Sequence, residues 1–119
     1  MSWSKYDKPH PLIGKKILAA AVAVGGESIT FDIEGGDPIV ATTEGDCCSF
    51  TWIEHAEGLD RIVGGVVTKA EDIEMPDLGH QEGHDEMAYY GFQITTDKGT
   101  AVIDYRNDSN GYYGGSLRW

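Results

Sequence analysis

From Lys15 onward the chain sets down short apolar runs in which alternate positions are polar, and each run stops at a turn signal. Ser28 to Glu34 is the clearest case. Ile29, Phe31 and Ile33 alternate with Thr30 and Asp32, the period-two pattern of a half-buried strand. The run before it, Lys15 to Val24, mixes alanine, which favours helix, with valine, which favours strand. Gly25-Gly26 lies between the two runs as a hairpin signal, so both are read as strands. Gly35-Gly36-Asp37-Pro38 is a second turn, followed by a third strand over Ile39 to Thr43. Cys48, Phe50 and Trp52 alternate with Ser49 and Thr51 as a fourth. Glu57 to Gly65 reads as one short helical turn ending at glycine, and Val66 to Glu74 resumes an extended pattern. Beyond Met87, Tyr90, Phe92 and Ile94 alternate, Asp97-Lys98-Gly99 turns the chain, and Val102, Ile103 and Tyr105 form another strand. After Asn107 to Gly111, Tyr112 to Trp119 closes the series.

The pattern predicts a mainly β (α+β) fold: an antiparallel meander of about seven short strands with one or two short helices. Helix and strand do not alternate, which argues against a parallel α/β sheet. A length of 119 residues suits a single domain, 1–119, with an irregular N-terminal arm over 1–12 that contains Pro9 and Pro11. With no helix long enough to cover a sheet, one face must curl on itself or meet another subunit, so a homo-oligomer is expected. Met75 to Glu86 is the one long loop. At this length an unstructured connection is usually functional or mobile.

Charge narrows the partners. Twenty acidic residues against nine basic ones give −11. Such a field repels phosphate backbones and anionic bilayers, so neither direct nucleic-acid binding nor a membrane is expected. The longest apolar stretch, Ile17 to Val24, is far below the roughly 20 residues of a membrane helix. Met1 to Asp7 lacks a signal-peptide core. The adjacent Cys47 and Cys48 would make a strained disulfide and read as free thiols of a cytoplasmic protein. The bland meaning of the charge is solubility; a sharper one is an acidic surface that occupies a basic nucleic-acid groove.

The chain carries no Gly-x-Ser-x-Gly elbow, no phosphate loop and no dinucleotide fingerprint. Cys47 or Cys48 near His55 is too loose a pattern for a nucleophile, and one of two neighbouring cysteines should point inward as a small hydrophobe. His80 and His84 are four apart, a spacing that aligns ligands only on a helix, and Gly79 and Gly83 disfavour that helix. Zinc needs three or four convergent ligands. No catalytic centre, metal or cofactor is therefore expected.

The densest polar chemistry runs from Tyr105 to Ser116. Asn110-Gly111 is a preferred turn pair, so one reading is a plain hairpin with aromatic flanks. The other is a small-molecule pocket. There Phe92, Tyr112 and Tyr113 stack on a base, Arg106 binds phosphate, and Asn107, Ser109 and Asn110 read polar edges. Arginine is scarce in this chain, with only Arg61 and Arg118 besides Arg106.

Asp46-Cys47-Cys48-Ser49, Trp52, Glu54, Gly58-Leu59-Asp60 and Ile62-Val63-Gly64 resemble the middle of a family of small phage and prophage proteins. Tyr90-Gly91-Phe92, Thr95 to Gly99 and the closing Tyr105 to Gly115 resemble the rest of its signature. The likeness spans roughly residues 12 to 119. Many relatives carry a basic residue where this chain has Asp104, a departure that bears on any phosphate role for that strand. In size and expected fold the family is similar to the Thoeris anti-defence sponges, phage proteins that sequester cyclic ADP-ribose-type signals or cyclic oligonucleotides within an oligomer. The resemblance implies a phage-encoded, non-enzymatic protein in the cytoplasm of an infected bacterial host, with a small-molecule nucleotide immune signal as ligand. The alternative, drawn from the charge and the acidic stretch Glu71 to Glu86, is a protein–protein inhibitor that mimics nucleic acid and blocks a host defence enzyme.

Overall fold

Alternation becomes strand wherever one face of a run finds a second apolar face to cover it. The computed structural model describes residues 10–45, 49–75, 86–109 and 115–119. Eight strands and one short helix occur among them: β1 (Ile17–Val22), β2 (Ser28–Ile33), β3 (Ile39–Gly45), β4 (Phe50–Glu57), α1 (Leu59–Ile62), β5 (Val67–Ile73), β6 (Glu86–Thr96), β7 (Thr100–Ser109) and β8 (Gly115–Arg118). Every pairing between them is antiparallel, so the fold class expected from the pattern holds. Cys47, Cys48, His80 and His84 lie outside the described residues, as does most of the long loop.

The strands form two four-stranded sheets, ordered β1-β2-β3-β8 and β4-β7-β6-β5. β1 to β3 and β5 to β7 follow one another as meanders. Two pairings are non-local: β8 returns to β3, and β4 lies against β7. The longest ladder joins β6 to β7, from Glu86↔Ser109 to Thr95↔Thr100. Its turn is fixed by Thr96, whose Oγ1 accepts the N–H groups of Lys98 (3.0 Å) and Gly99 (3.1 Å) and donates to the Gly99 carbonyl (3.0 Å).

The sheets are stitched together along one side. Ile17 and the Gly64-Gly65 backbone exchange hydrogen bonds of 2.7 and 2.9 Å, and Lys16 bridges to Val66. A second stitch comes from the β1–β2 turn, where the Ile53 N–H donates to the Gly26 carbonyl at 2.8 Å. Gly26 holds φ +73°, and a Cβ there would collide with the Ile53 carbonyl oxygen, so the position needs glycine twice over. The inner faces therefore cover one another. The core between them is built from this chain's own residues.

The core is the sum of the inward stripes. Ile29, Phe31 and Ile33 of β2 meet Ile53 of β4, Phe92 and Ile94 of β6, and Ala101, Ile103 and Tyr105 of β7. Leu12, expected in the irregular arm, is instead fully buried. A turn over residues 10–14 tucks it in, with Ile13 donating to the His10 carbonyl and Lys15 to the Leu12 carbonyl. Burying one leucine is worth about 1.5–3 kcal/mol, which explains why the chain becomes regular before the first strand. The first strand is irregular: its register shifts between Ile17 and Ala19, with Ile17 buried and the neighbouring Leu18 exposed. Among the described residues no helix is long and apolar enough to cross a membrane.

Candidate functional site

At the end of the sandwich where β8 lies across from β6 and β7, the inward stripes turn aromatic. Tyr90 and Tyr105 are direct partners in the β6–β7 ladder, and their rings stack at 5.1 Å and 16°. Phe92, two residues along the same face, tilts against Trp119 with ring centroids 5.0 Å apart. Trp119 is held there because β8 pairs with β3 and delivers the chain end between the sheets. On its other side it stacks on Phe31 of β2 at 5.7 Å and 25°. The His10 ring meets the Trp119 ring edge-on at 4.4 Å and lies 5.1 Å from Phe92. Such aromatic pairs contribute about 0.5–1.5 kcal/mol each beyond the area they bury. They leave a cavity of about 710 Å³, whose lining also takes in Leu117 of β8. The Gly115 N–H donates to the Tyr90 hydroxyl at 3.3 Å and ties β8 to the cavity wall.

The charged groups of the lining are acidic. Asp72, opposite Phe92 in the β5–β6 ladder, and Glu74 line the cavity, and no Lys or Arg joins them among the described residues. Burial, reinforced by Asp72 and Tyr90, pushes the Tyr105 phenol up to about 12. Burial holds His10 below its ordinary value, with Asp72 acting in the opposite sense. His10 Nδ1 accepts the Leu12 N–H at 3.1 Å, which places the proton of the neutral ring on Nε2. That nitrogen is buried and has no hydrogen-bond partner among the described residues.

The residues singled out from the sequence are distributed over two faces. Phe92 faces the cavity. Arg106 points the other way, on the outer face of the sheet, where it is flanked in the ladder by Trp52 and Tyr89. Its Nη2 donates to Asp104 Oδ2 at 3.2 Å and its Nε to Oδ1 at 3.4 Å, and the guanidinium sits 5.1 Å from the Tyr89 ring centroid. The hydrogen bond to Asp104 raises its pKa further. Asp104 is thus this arginine's partner. Asn107 faces inward, but as a fully buried residue of the core stripe. Its Nδ2 donates to Thr51 Oγ1 at 2.8 Å, and Thr51 Oγ1 donates to the Glu44 carbonyl at 3.2 Å. Ser109 ends β7 opposite Glu86, and Asn110, Tyr112 and Tyr113 lie outside the described residues.

The family model described as a domain of unknown function, DUF7448, matches residues 10–119. The chain belongs to this family. No curated protein and no solved structure matches it. The span matched to DUF7448 runs from His10 to Trp119, the two residues whose rings meet edge-on, so the family's extent takes in the whole cavity lining. Sequence reasoning on this DUF7448 chain missed Tyr90, Tyr105 and Trp119 as cavity residues, although each sits on an alternating run and was legible as inward-facing. His10 gave no signal, because a histidine between two prolines has no period to belong to. A second hollow of about 500 Å³ is lined by Val40, Thr42, Thr43, Glu44, Arg118 and Trp119. Its one ion pair, Arg118 to Glu44 at 3.9 Å, is exposed and contributes little. Among the described residues no three His, Cys, Asp or Glu side chains converge as metal ligands would.

Proposed function

We propose that this protein is a non-enzymatic binding module, and that it acts by holding the planar ring of a small ligand in the cavity between its two sheets. The supporting observation is the aromatic wall of Tyr90, Tyr105, Phe92 and Trp119 around a space of about 710 Å³, a size that suits a small organic ligand. Stacking on such rings contributes about 1–3 kcal/mol per base and does not depend on base identity. Affinity without turnover is what a sequestering protein requires. Carried into the phage setting of the sequence resemblance, the ligand is the ring-bearing part of a nucleotide immune signal, and its removal from solution blunts host defence. Arg106 is no phosphate clamp for this cavity, because it lies on the other face and is matched by Asp104. The phosphates of a nucleotide would remain at the acidic mouth, so a free nucleoside should bind at least as tightly as its cyclic nucleotide.

Calorimetry with adenosine, cyclic ADP-ribose isomers and cyclic di- and trinucleotides tests the reading. Saturable heat with a ring-bearing compound is expected. Silence from all of them at a protein concentration about 100-fold above a micromolar Kd overturns it.

A further inference from the structure

The cavity joins two chemistries that favour the same sign of charge. Aromatic rings line the space, and the quadrupole of such a ring attracts a cation lying within about 6 Å of its centroid. Its two carboxylates, Asp72 and Glu74, belong to exposed residues with no ion-pair partner among the described residues. The nearest lysine on the same strand, Lys69, is engaged by Glu71 at 3.1 Å. It sits with Glu71 on the face of β5 opposite to Asp72, as the ladder register requires. His10, kept neutral by burial, offers no competing positive charge.

The field of Asp72 also extends into the space. It acts on His10 and on Tyr105, favouring the positive form of the one and disfavouring the negative form of the other. An anion placed between those two rings would meet the same field, with no Lys or Arg in the described lining to offset it.

We infer that the ligand of this cavity is a small organic cation, an ammonium or heteroaromatic cation carried on a planar ring. The ring lies among Phe92, Tyr105 and Trp119, and the charge faces Asp72 and Glu74. The inference rests on the reading of the cavity as a ring-binding site; by adding the sign of the ligand's charge it sets an organic cation in place of the anionic nucleotide named there.

Three probes share a benzene ring and differ in charge: phenyltrimethylammonium, N,N-dimethylaniline (neutral at pH 7.5) and benzoate. Titration of each into the full chain, followed by calorimetry and by the ligand's own NMR signals, should rank cation over neutral by tenfold or more, with benzoate weakest. The Asp72→Asn, Glu74→Gln double variant changes two exposed side chains and should fold normally, a point to be checked by thermal melting. It should reduce the cation's advantage to threefold or less while leaving dimethylaniline affinity unchanged. Equal or tighter binding of dimethylaniline or benzoate by the unaltered chain overturns the inference on charge and leaves the cavity reading intact. An undiminished cation preference in the double variant also overturns it. Binding of none of the three overturns the inference as well, and the cavity reading is then decided by the titration with adenosine and the cyclic nucleotides.

Discussion

Thr51 and Asn107 form a buried polar couple in which the two single substitutions should have very different costs. Asn107 Nδ2 donates to Thr51 Oγ1 at 2.8 Å, while Asn107 Oδ1 is buried with no donor among the described residues. Thr51 Oγ1 in turn donates to the Glu44 carbonyl at 3.2 Å. Thr51→Val preserves shape but removes both bonds at once, and it leaves the whole Asn107 amide buried without a partner. Stranding such a group costs about 1–3 kcal/mol, so a loss of about 2 kcal/mol is expected. Asn107→Leu also roughly preserves shape, but it takes away an amide that is only half satisfied and leaves the Thr51–Glu44 bond in place. Its lost hydrogen bond, about 1 kcal/mol, is offset by removal of the unpaired oxygen and by added apolar burial. The net change should lie within about 1 kcal/mol of zero. Urea denaturation reads both. With a slope of about 1–3 kcal/mol per molar, Thr51→Val should lower the midpoint by roughly 1 M and Asn107→Leu by less than half of that. The double variant should resemble Asn107→Leu rather than the sum, because valine no longer strands anything. Asn107→Leu costing as much as Thr51→Val, or strict additivity, would refute the reasoning. The same variant separates two roles for Asn107, since a ligand-reading residue would lose binding and a core residue would not.

Gly26→Ala should destabilise by more than about 2 kcal/mol, from left-handed strain together with the collision at the Ile53 carbonyl. That corresponds to a fall in Tm of about 8 °C or more, and an unchanged Tm would mean that the hairpin does not dock on β4. Stability should decline at high pH through Tyr105. Its unfolded phenol ionises near 10, whereas the folded one keeps its proton up to about 12. The folded state then binds the extra proton, so the contribution is whole below pH 10 and falls by at most about 1.4 kcal/mol per pH unit across the window. Tyr105→Phe should flatten that part of the stability curve relative to the unaltered protein, and an unchanged slope would count against the assignment. Arg106→Met should cost about 1 kcal/mol by unpairing the half-buried Asp104, and should leave affinity for any cavity ligand unchanged. A binding loss measured by calorimetry would return Arg106 to the site.

Along the strands the sequence alone determined a great deal, because side chains alternate in a pleated strand whatever lies next to it. Ile29, Phe31 and Ile33 declared an inward stripe, Gly25-Gly26 a hairpin, and Glu57 to Gly65 a single helical turn, and each is present. The same rule set Tyr90, Phe92 and Ile94 on one stripe and would have placed Tyr105 with them. What the pattern does not carry is which strand lies beside which. The pairings of β8 with β3 and of β4 with β7 are long-range contacts set by total burial. Only they bring Trp119 against Phe92 and His10, and Thr51 against Asn107. The cluster of arginine, asparagine and tyrosine near the C-terminus looked like one site because its members are neighbours in the chain. In a strand, neighbours point to opposite faces. Tertiary structure therefore put Arg106 on the outside with Asp104, Asn107 in the core, and the aromatic cavity between the sheets.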